Sequence, residues 1–258
     1  MDEAWQAVAT AATVGTVGAM CGRFVSTSPP DELAAYFGAE AVAESVIEPN
    51  YNVAPTQDVL AVVEADGGRF LDAFFWGLVP SWAKDVKIGS RMINARAETL
   101  AEKSAFKKPF ATRRCLVPAD GFYEWRKLDS AKKPKKQPMF IHRDDGEPLA
   151  FAGLWSLWRG PDKDQEPLRS LTIVTTSPNE LLATIHDRMP VILPEERWAT
   201  WLDRDNHDLE ALSGLLVPLP DGILTATPVA PLVNNVRNNG PELLELVPEE
   251  PAEQTSLL

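Results

Sequence analysis

Cysteine and histidine are scarce in this sequence. Its 258 residues include two cysteines and three histidines, too few for a disulfide framework or for the ligand spacing of a zinc site. No run of 18 or more apolar residues occurs, so no membrane-spanning segment is predicted. We therefore expect a protein with no metal or other cofactor, in a reducing, cytoplasmic setting.

Positive charge is also scarce overall, but it is concentrated. The formal net charge is −12, with 25 Lys and Arg against 37 Asp and Glu. That balance argues against a simple nucleic-acid coat, because affinity for phosphate comes from Lys and Arg. Residues 83–143 nevertheless carry 16 basic and 6 acidic side chains, a local balance of +10. One basic face could meet a polyanion, although residues 132–136 read more simply as a solvated lysine-rich loop.

The pattern of apolar residues and turns predicts an α+β fold. A helix is expected between Ser28 and Gly38, and a hairpin from runs 59–65 and 70–76 around Asp66-Gly67-Gly68. Segment 50–56 is predicted to be a polar loop. Further strands are predicted at residues 115–117, 121–126, 138–142, 149–155, 171–175 and 223–229, and further helices at 179–185, 195–202 and 209–216. Because these elements do not alternate regularly, we expect a single domain with an antiparallel β-barrel-like core flanked by helices.

The two ends of the chain differ from the rest. Residues 1–19 lack a basic leader before an apolar segment, so they do not resemble a secretory signal. We interpret them as an extension that is either a misassigned start or removed by processing. Residues 20–247 form the predicted domain, and the acidic, proline-bearing residues 248–258 are predicted to be a disordered tail.

Met20-Cys21-Gly22-Arg23-Phe24 is the segment on which the chemistry depends. If the chain began at Cys21, the residue would carry an α-amine and a thiol, with ordinary pKa values of about 7.8 and 8.5. An aldehyde could form a Schiff base with that amine, and the thiol could then close a thiazolidine ring. The ordinary alternative is that Cys21 is a small buried hydrophobe.

Three further segments carry candidate polar groups. Asn94, Arg96 and Glu98 would share one face if extended, with the arginine suited to phosphate and Asn94 suited to a substrate oxygen. Glu124 lies among aromatic residues, which should raise the pKa of its carboxyl and suit it to proton transfer. His186 is followed by an acid and an arginine at a predicted helix end. Solvated strand residues and a helix-terminal histidine remain alternatives.

Aromatic residues and a proline accompany these groups. Trp82, Trp125 and Pro55 could support unpaired bases, since base–aromatic stacking contributes about 1–3 kcal/mol per base for any sequence. Core packing is the alternative for some of the eight tryptophans.

Taken together and in order, these segments resemble the SRAP family of abasic-site processing proteins. The resemblance covers about residues 20–247 and is carried by Met20–Phe24, Tyr51–Pro55, Trp76–Pro80, Asn94–Arg96, Phe122–Trp125, His186–Pro190 and Val233–Asn238. It implies a mixed α/β fold with a barrel-like core. It also implies a covalent thiazolidine link between an N-terminal cysteine and the ring-opened sugar of an abasic site in single-stranded DNA.

The resemblance also implies roles for individual residues. Cys21 would be the nucleophile, Asn94 would hold the adduct, Glu124 would be the general acid and base, and His186 would assist proton transfer at the imine. The residues implied in DNA binding are Arg23, Arg96, Arg188, Trp82, Trp125, Pro55 and Asn52. The expected partner is single-stranded DNA containing abasic sites, bound by a monomer, with replication-fork proteins as further candidates.

Two other functions stay open at this point. The family has also been described as a self-processing peptidase, so a thiol peptidase acting on itself is one alternative. A non-catalytic module that binds single-stranded DNA is the other. A Schiff base that fails to close could also eliminate the 3′ phosphate, which would give lyase activity.

Overall fold

The structure, a computed structural model, describes residues 21–41, 47–65, 68–131, 134–161 and 166–250. The expectations for residues 1–20, the hairpin turn at 66–67, Lys132 and Lys133, and residues 251–258 lie outside the described residues. The strands are β1 (Phe24–Ser26), β2 (Glu40–Ala41), β3 (Asn50–Val53), β4 (Asp58–Ala65), β5 (Gly68–Trp76), β6 (Asn94–Arg96), β7 (Arg114–Ala119), β8 (Gly121–Lys127), β9 (Lys136–Arg143), β10 (Leu149–Trp158), β11 (Leu168–Thr176), β12 (Met189–Pro190) and β13 (Leu224–Pro228). The helices are α1 (Pro30–Phe37), α2 (Lys107–Thr112), α3 (Glu180–Ala183), α4 (Glu195–Leu202) and α5 (Leu209–Ser213).

Five strands close into a barrel in the order β11-β10-β7-β4-β5 and back to β11. Four of the contacts are antiparallel, and the fifth is a parallel pairing in which Leu171 of β11 lies opposite Trp76 of β5. Closure leaves these strands without free edges. The predicted α+β domain with a barrel-like core is confirmed, with the difference that a parallel pair completes an otherwise antiparallel ring.

Alternation along β10 divides the core into two layers. Phe151 belongs to one buried cluster, together with Cys115 and Leu171, whereas Ala152 and Leu154 belong to a second cluster with Trp198 and Trp201 of α4. Successive strand residues point to opposite faces, so one set packs with Phe24 and Phe122 of β1 and β8 and the other set receives the helices.

A buried arginine fastens the helices to the barrel. The Arg114 guanidinium donates to the carbonyl oxygens of Phe110, Ala111, Trp201, Asp203 and Asn206. Because a guanidinium has five N–H donors and no acceptor, one side chain can satisfy carbonyls at the ends of both α2 and α4. Among the described residues, no helix is long and apolar enough to cross a lipid bilayer.

A second sheet packs on the barrel in the order β13-β9-β8-β1-β3. The ring of Phe24 in β1 lies 5.1 Å from that of Trp76 and 6.1 Å from that of Phe151, measured between centroids. The loop predicted for residues 50–56 is wrong in its first half, because Asn50–Val53 forms β3 and pairs with β1. Its polar residues concealed the strand because their partners come from distant segments.

The predicted helix and the two strands of the hairpin are confirmed, although no side chain caps the helix at its N-terminus. Helix α1 begins at Pro30 and ends at Gly38, whose left-handed φ of 61° lets its N–H reach the carbonyls of Ala34 and Ala35. Strands β4 and β5 pair from Asp58 opposite Phe75 to Ala65 opposite Gly68. The other predicted strands and helices occur within a few residues of their expected positions.

Candidate active site

The Glu124 carboxylate lies against the backbone nitrogen of Cys21. Cys21 precedes β1, which runs antiparallel to β8 and pairs Phe24 with Phe122. The chain before β1 therefore continues alongside β8, and the Cys21 N–H donates to Glu124 Oε1 at 2.6 Å. Both residues are buried, with exposures of 5% and 2%. Cys21 has a left-handed φ of 44°, which is uncommon for a residue with a Cβ and is found most often at functional sites.

Burial governs the protonation of this pair. It raises the pKa of the Cys21 thiol well above its ordinary value, and the Glu124 carboxylate raises it further, while Arg188 acts in the opposite direction. Burial likewise raises the pKa of Glu124, opposed by His186 and by the hydrogen bond from Cys21. The predicted upward shift of the Glu124 pKa is confirmed. Such a carboxyl can exchange protons near neutrality.

His186 lies next to this pair at the end of α3. The backbone N–H of His186 donates to the Leu182 carbonyl at 2.8 Å. The ring Nδ1 accepts from the Arg188 N–H at 3.2 Å and lies 3.1 Å from Asp187 Oδ1. A neutral ring that accepts at Nδ1 carries its proton on Nε2, whereas a charged ring could donate to Asp187. The charge of His186 lowers the pKa of Glu124 and so opposes the effect of burial, which places the two side chains within electrostatic reach of each other.

Arg188 is held by an acid that the sequence analysis left without a role. Its guanidinium donates to both carboxylate oxygens of Glu98 and to the Thr175 carbonyl, the latter at 2.7 Å. The Arg188 side chain is 13% exposed and that of Glu98 is 53% exposed. This guanidinium therefore already has a partner, and a phosphate would have to share it with Glu98 or displace that side chain.

Asn94 and Arg96 lie on β6. This strand pairs in parallel with β11, with Asn94 opposite Ile173 and Arg96 opposite Thr175. Asn94 is half-buried and Arg96 is exposed. The expectation that Glu98 continues the same extended face is wrong, because Ala97–Thr99 turns into a 3₁₀ helix. That turn is what carries Glu98 to Arg188.

Arg23 and Asn52 are joined at the other side of β1. Arg23 donates to Asn52 Oδ1 at 2.7 Å and to the Val233 carbonyl at 2.9 Å. Asn52 is 1% exposed, and its Nδ2 lies 3.1–3.3 Å from the carbonyl oxygens of Val233, Asn235 and Asn238. The structure thus places Asn52 beneath the 233–238 loop. Its role in DNA binding stays a prediction.

The three residues predicted to support bases lie in different environments. Trp82 is 57% exposed. Trp125 packs partly against Tyr123 and its neighbours, and its indole N–H donates to Asn234 Oδ1 at 2.7 Å. Pro55 is half-buried and precedes Thr56, which has a φ of 71°. Trp82 therefore offers the most open ring of the set.

Sequence reasoning missed two acids that position the site. Glu98 lies within the Asn94–Thr99 segment, but its partner Arg188 is 90 residues away in sequence. Asp120 accepts from the backbone and hydroxyl groups of Thr27 and Ser28 and so fixes the end of β1 against β8. Consecutive Thr and Ser donors after a short strand were the available signal. Within the described segments, no three His, Cys, Asp or Glu residues are grouped to hold a metal ion.

Fold and site together define a class of protein: a barrel-cored α+β domain in which the backbone nitrogen of a cysteine ahead of the first strand lies against a buried glutamate. The chain belongs to the SRAP family, because the family model described as SOS response associated peptidase (SRAP) matches residues 20–236. The predicted family membership is confirmed.

Several curated relatives share most of this chain. It is 46% identical over 228 residues to abasic site processing protein YoqW of Bacillus subtilis (strain 168), covering 88% of this chain and 99% of the relative. It is 34% identical to abasic site processing protein YedK of Escherichia coli (strain K12), covering 88% and 100%. Abasic site processing protein HMCES of Xenopus tropicalis is 31% identical, with coverage of 88% and 78%.

Solved structures share the fold. A protein from Bacteroides thetaiotaomicron superposes with a TM-score of 0.77 at 24% identity, covering 88% of this chain and all of that one. A phage-related protein from Bordetella bronchiseptica gives a TM-score of 0.63 at 35% identity, with coverage of 81% and 94%.

Proposed function

We propose that this protein processes abasic sites in single-stranded DNA by forming a thiazolidine crosslink through Cys21. The observation that carries the proposal is the contact of the Cys21 nitrogen with Glu124, at 2.6 Å in a buried setting beside His186. The names of the relatives supply the substrate class. The reaction requires that Cys21 be the first residue of the mature chain, so that this nitrogen is an amine.

The proposed chemistry begins with the closed sugar. Glu124, in its protonated form, donates to the ring oxygen and takes a proton from the anomeric hydroxyl, which exposes the aldehyde. The Cys21 amine attacks the aldehyde carbon, and the resulting carbinolamine loses its hydroxyl as water with a proton from Glu124. The protonated imine then returns its N–H proton to the Glu124 carboxylate. The thiol then adds to the imine carbon while its proton passes to nitrogen. Glu124 suits this alternation because burial raises the pKa of its carboxyl.

Neighbouring residues position the reactants. His186 assists proton transfer at the imine, and Asn94 holds the sugar. Burial and Glu124 raise the pKa of the Cys21 thiol, and Arg188 offsets part of that rise, so the sulfur attacks as a thiol that gives up its proton in the same step. Recognition depends on phosphates and a missing base, so little sequence preference is expected.

The DNA-binding residues of the proposal are Arg23, Arg96, Arg188, Asn52, Trp82, Trp125 and Pro55. The protein would act as a monomer in the cytoplasm, at the nucleoid when it is bound to DNA, with replication-fork proteins as further partners. An imine that eliminates the 3′ phosphate before the thiol closes the ring would give a lyase side activity.

A second function, cleavage of its own Met20–Cys21 bond, is favoured by the same contact. The nitrogen that Glu124 binds is the leaving group of that peptide bond, so Glu124 could donate a proton to it as water attacks the Met20 carbonyl. Intact mass of the full chain tests this function. A Glu124→Gln chain that still loses the residues before Cys21 would exclude it.

The crosslink is tested with a protein that begins at Met20 and loses that methionine on expression. Mixing it with a single-stranded oligonucleotide containing one abasic site should give a protein–DNA adduct that survives denaturing electrophoresis. The same oligonucleotide with an intact base should give none. Borohydride added early should trap the imine before ring closure.

Two cysteine variants separate chemistry from folding. Cys21→Ala should abolish the adduct, whereas Cys115→Ala, which alters an internal buried thiol, should preserve it. A chain that retains residues 1–20 should also fail to crosslink. Adduct formation by that retained form, or by Cys21→Ala, would refute the proposal.

A further inference from the structure

A pocket unrelated to Cys21 lies where α2, β10 and the turn after α4 meet. Its volume is about 380 Å³, within the range of small-ligand sites. Four side chains that can carry positive charge line it: Lys108, Arg113, Arg204 and His207. One acid, Asp205, lies among them.

An aromatic ring fixes one of these cations in place. The Arg113 guanidinium carbon lies 5.1 Å from the centroid of the Trp155 ring. Trp155 is itself held by Phe74, whose ring centroid is 5.8 Å away, and its backbone N–H donates to the Arg113 carbonyl at 2.9 Å. A guanidinium stacked in this way keeps its N–H edge free for an anion.

Among the described residues, three of the four cations in this pocket have no acidic partner within ion-pair distance. In the described part of the chain, Lys108, Arg113 and His207 form no ion pair. The whole chain carries a net charge of −12, so random placement would favour acidic neighbours. A local excess of positive charge in a concave site attracts anions.

The pocket is separate from the candidate active site. Trp155 lies opposite Leu171 of β11, whereas Arg188 binds the carbonyl of Thr175 on the same strand. Leu171 and Thr175 are four residues apart on an extended strand, so the pocket and the Arg188 contact are about 13 Å apart along β11. No residue lines both places.

We propose that this pocket binds the phosphate group of a nucleotide, with Lys108 and Arg113 as its main ligands. The Arg113 edge matches a pair of phosphate oxygens, and Lys108 supplies a point charge. His207 adds a further donor. The phosphate belongs either to a free nucleotide or to a nucleic-acid strand, and this proposal does not depend on crosslinking by Cys21.

The test uses the full chain carrying Cys21→Ala, so that no covalent adduct forms. Deoxyadenosine monophosphate and an undamaged 12-nucleotide single strand serve as probes in calorimetry and fluorescence anisotropy. The pocket variant is Lys108→Gln with Arg113→Gln, and the matched control is Lys107→Gln, an exposed residue of the same helix outside the pocket. Arg113→Lys retains the charge without the planar fork.

The pocket variant should bind at least one of the two probes tenfold or more weakly, whereas Lys107→Gln should change the affinity less than twofold. The affinity of Arg113→Lys should lie between those of the pocket variant and the control. Weaker binding of the mononucleotide by the pocket variant identifies a free nucleotide as the ligand. An effect on the strand alone identifies nucleic acid, and the slope of log K against log salt should then fall by about 1.4 for two lost contacts. Equal binding of both probes by the pocket variant and the control, or no saturable binding at all, would overturn the inference.

Discussion

Replacing Asn52 by alanine is expected to loosen the 233–238 loop and destabilise the whole domain. Asn52 is 1% exposed, and its Nδ2 faces the carbonyls of Val233, Asn235 and Asn238 at 3.1–3.3 Å. Its Oδ1 accepts from Arg23 at 2.7 Å. Alanine would remove all of these contacts and leave the carbonyls facing a small apolar group.

The size of the effect follows from the donor count. An amide nitrogen has two hydrogens, so it makes two full hydrogen bonds to three carbonyls at a time. Each is worth about 1 kcal/mol, and the bond from the charged Arg23 about 1.5–3 kcal/mol. Arg23 retains the Val233 carbonyl, which offsets part of that loss. A destabilisation of about 3 kcal/mol results, or about 6–12 °C in Tm for a domain of this size.

Thermal and urea unfolding of the variant, followed by circular dichroism, measure this effect. Asn52→Asp is the informative companion, because it keeps the acceptor for Arg23 but turns a carboxylate toward three carbonyls. It should destabilise the domain at least as much as alanine. A loss below 1 kcal/mol for Asn52→Ala would refute the reasoning, since Asn52 would then not hold the loop.

Three further predictions concern the site and the barrel. Glu98→Gln should lower the free energy of unfolding by less than about 1 kcal/mol, because its ion pair with Arg188 is partly exposed. The same variant should bind undamaged single-stranded DNA several-fold more tightly in fluorescence anisotropy. Unchanged or weaker binding would contradict this. Glu124→Gln should slow crosslinking by about 10²–10⁴-fold. The pKa of Glu124 is raised in the folded state, so ionising this buried carboxyl destabilises the fold. As pH rises through the folded-state pKa, the wild type should lose stability relative to Glu124→Gln. Parallel profiles of Tm against pH for the two proteins would contradict this. Gly153→Ala should lower the free energy of unfolding by about 1–3 kcal/mol, because the added Cβ would lie 2.7 Å from Cys115 Sγ. Adding Cys115→Ala should recover part of that stability. Purely additive losses in the double variant would count against this contact.

Local patterns predicted the elements that local forces specify. Helix α1 is marked by Pro30 at its start and by Gly38 at its end, where a φ of 61° favours glycine. The hairpin of β4 and β5 has its turn signal between two apolar runs. In both cases the residues that decide the structure are neighbours in sequence.

Elements that depend on distant partners were missed or only partly predicted. The local sequence of β3 predicts a loop, because the strand pairs with β1 and its Asn52 is satisfied by the loop near Val233, both distant in sequence. The closing pair of the barrel joins Trp76 to Leu171 in parallel, which no local pattern encodes. Such contacts depend on the folded topology and not on the composition of either segment.

The site shows the same division between local and distant information. The aromatic neighbours of Glu124 predicted the raised pKa of its carboxyl, because burial follows from adjacent residues. The proximity of Glu124 to Cys21 spans 103 residues, and only the family resemblance had placed them together. Arg188 was assigned to phosphate without its partner, since Glu98 reaches it through a 3₁₀ turn that interrupts the expected strand.

The three arginines predicted to bind phosphate are not equivalent once their partners are known. Arg23 is committed to Asn52 and Val233, and burial lowers the pKa of its guanidinium. Arg188 is committed to Glu98 and acts on the Cys21 thiol through its charge. Arg96 is the exposed member of the set. A bound strand can therefore gain a contact from Arg96 without breaking an existing one. Any contact with the other two would be made by a guanidinium that already holds part of the folded chain, so it must share that guanidinium with the existing partners.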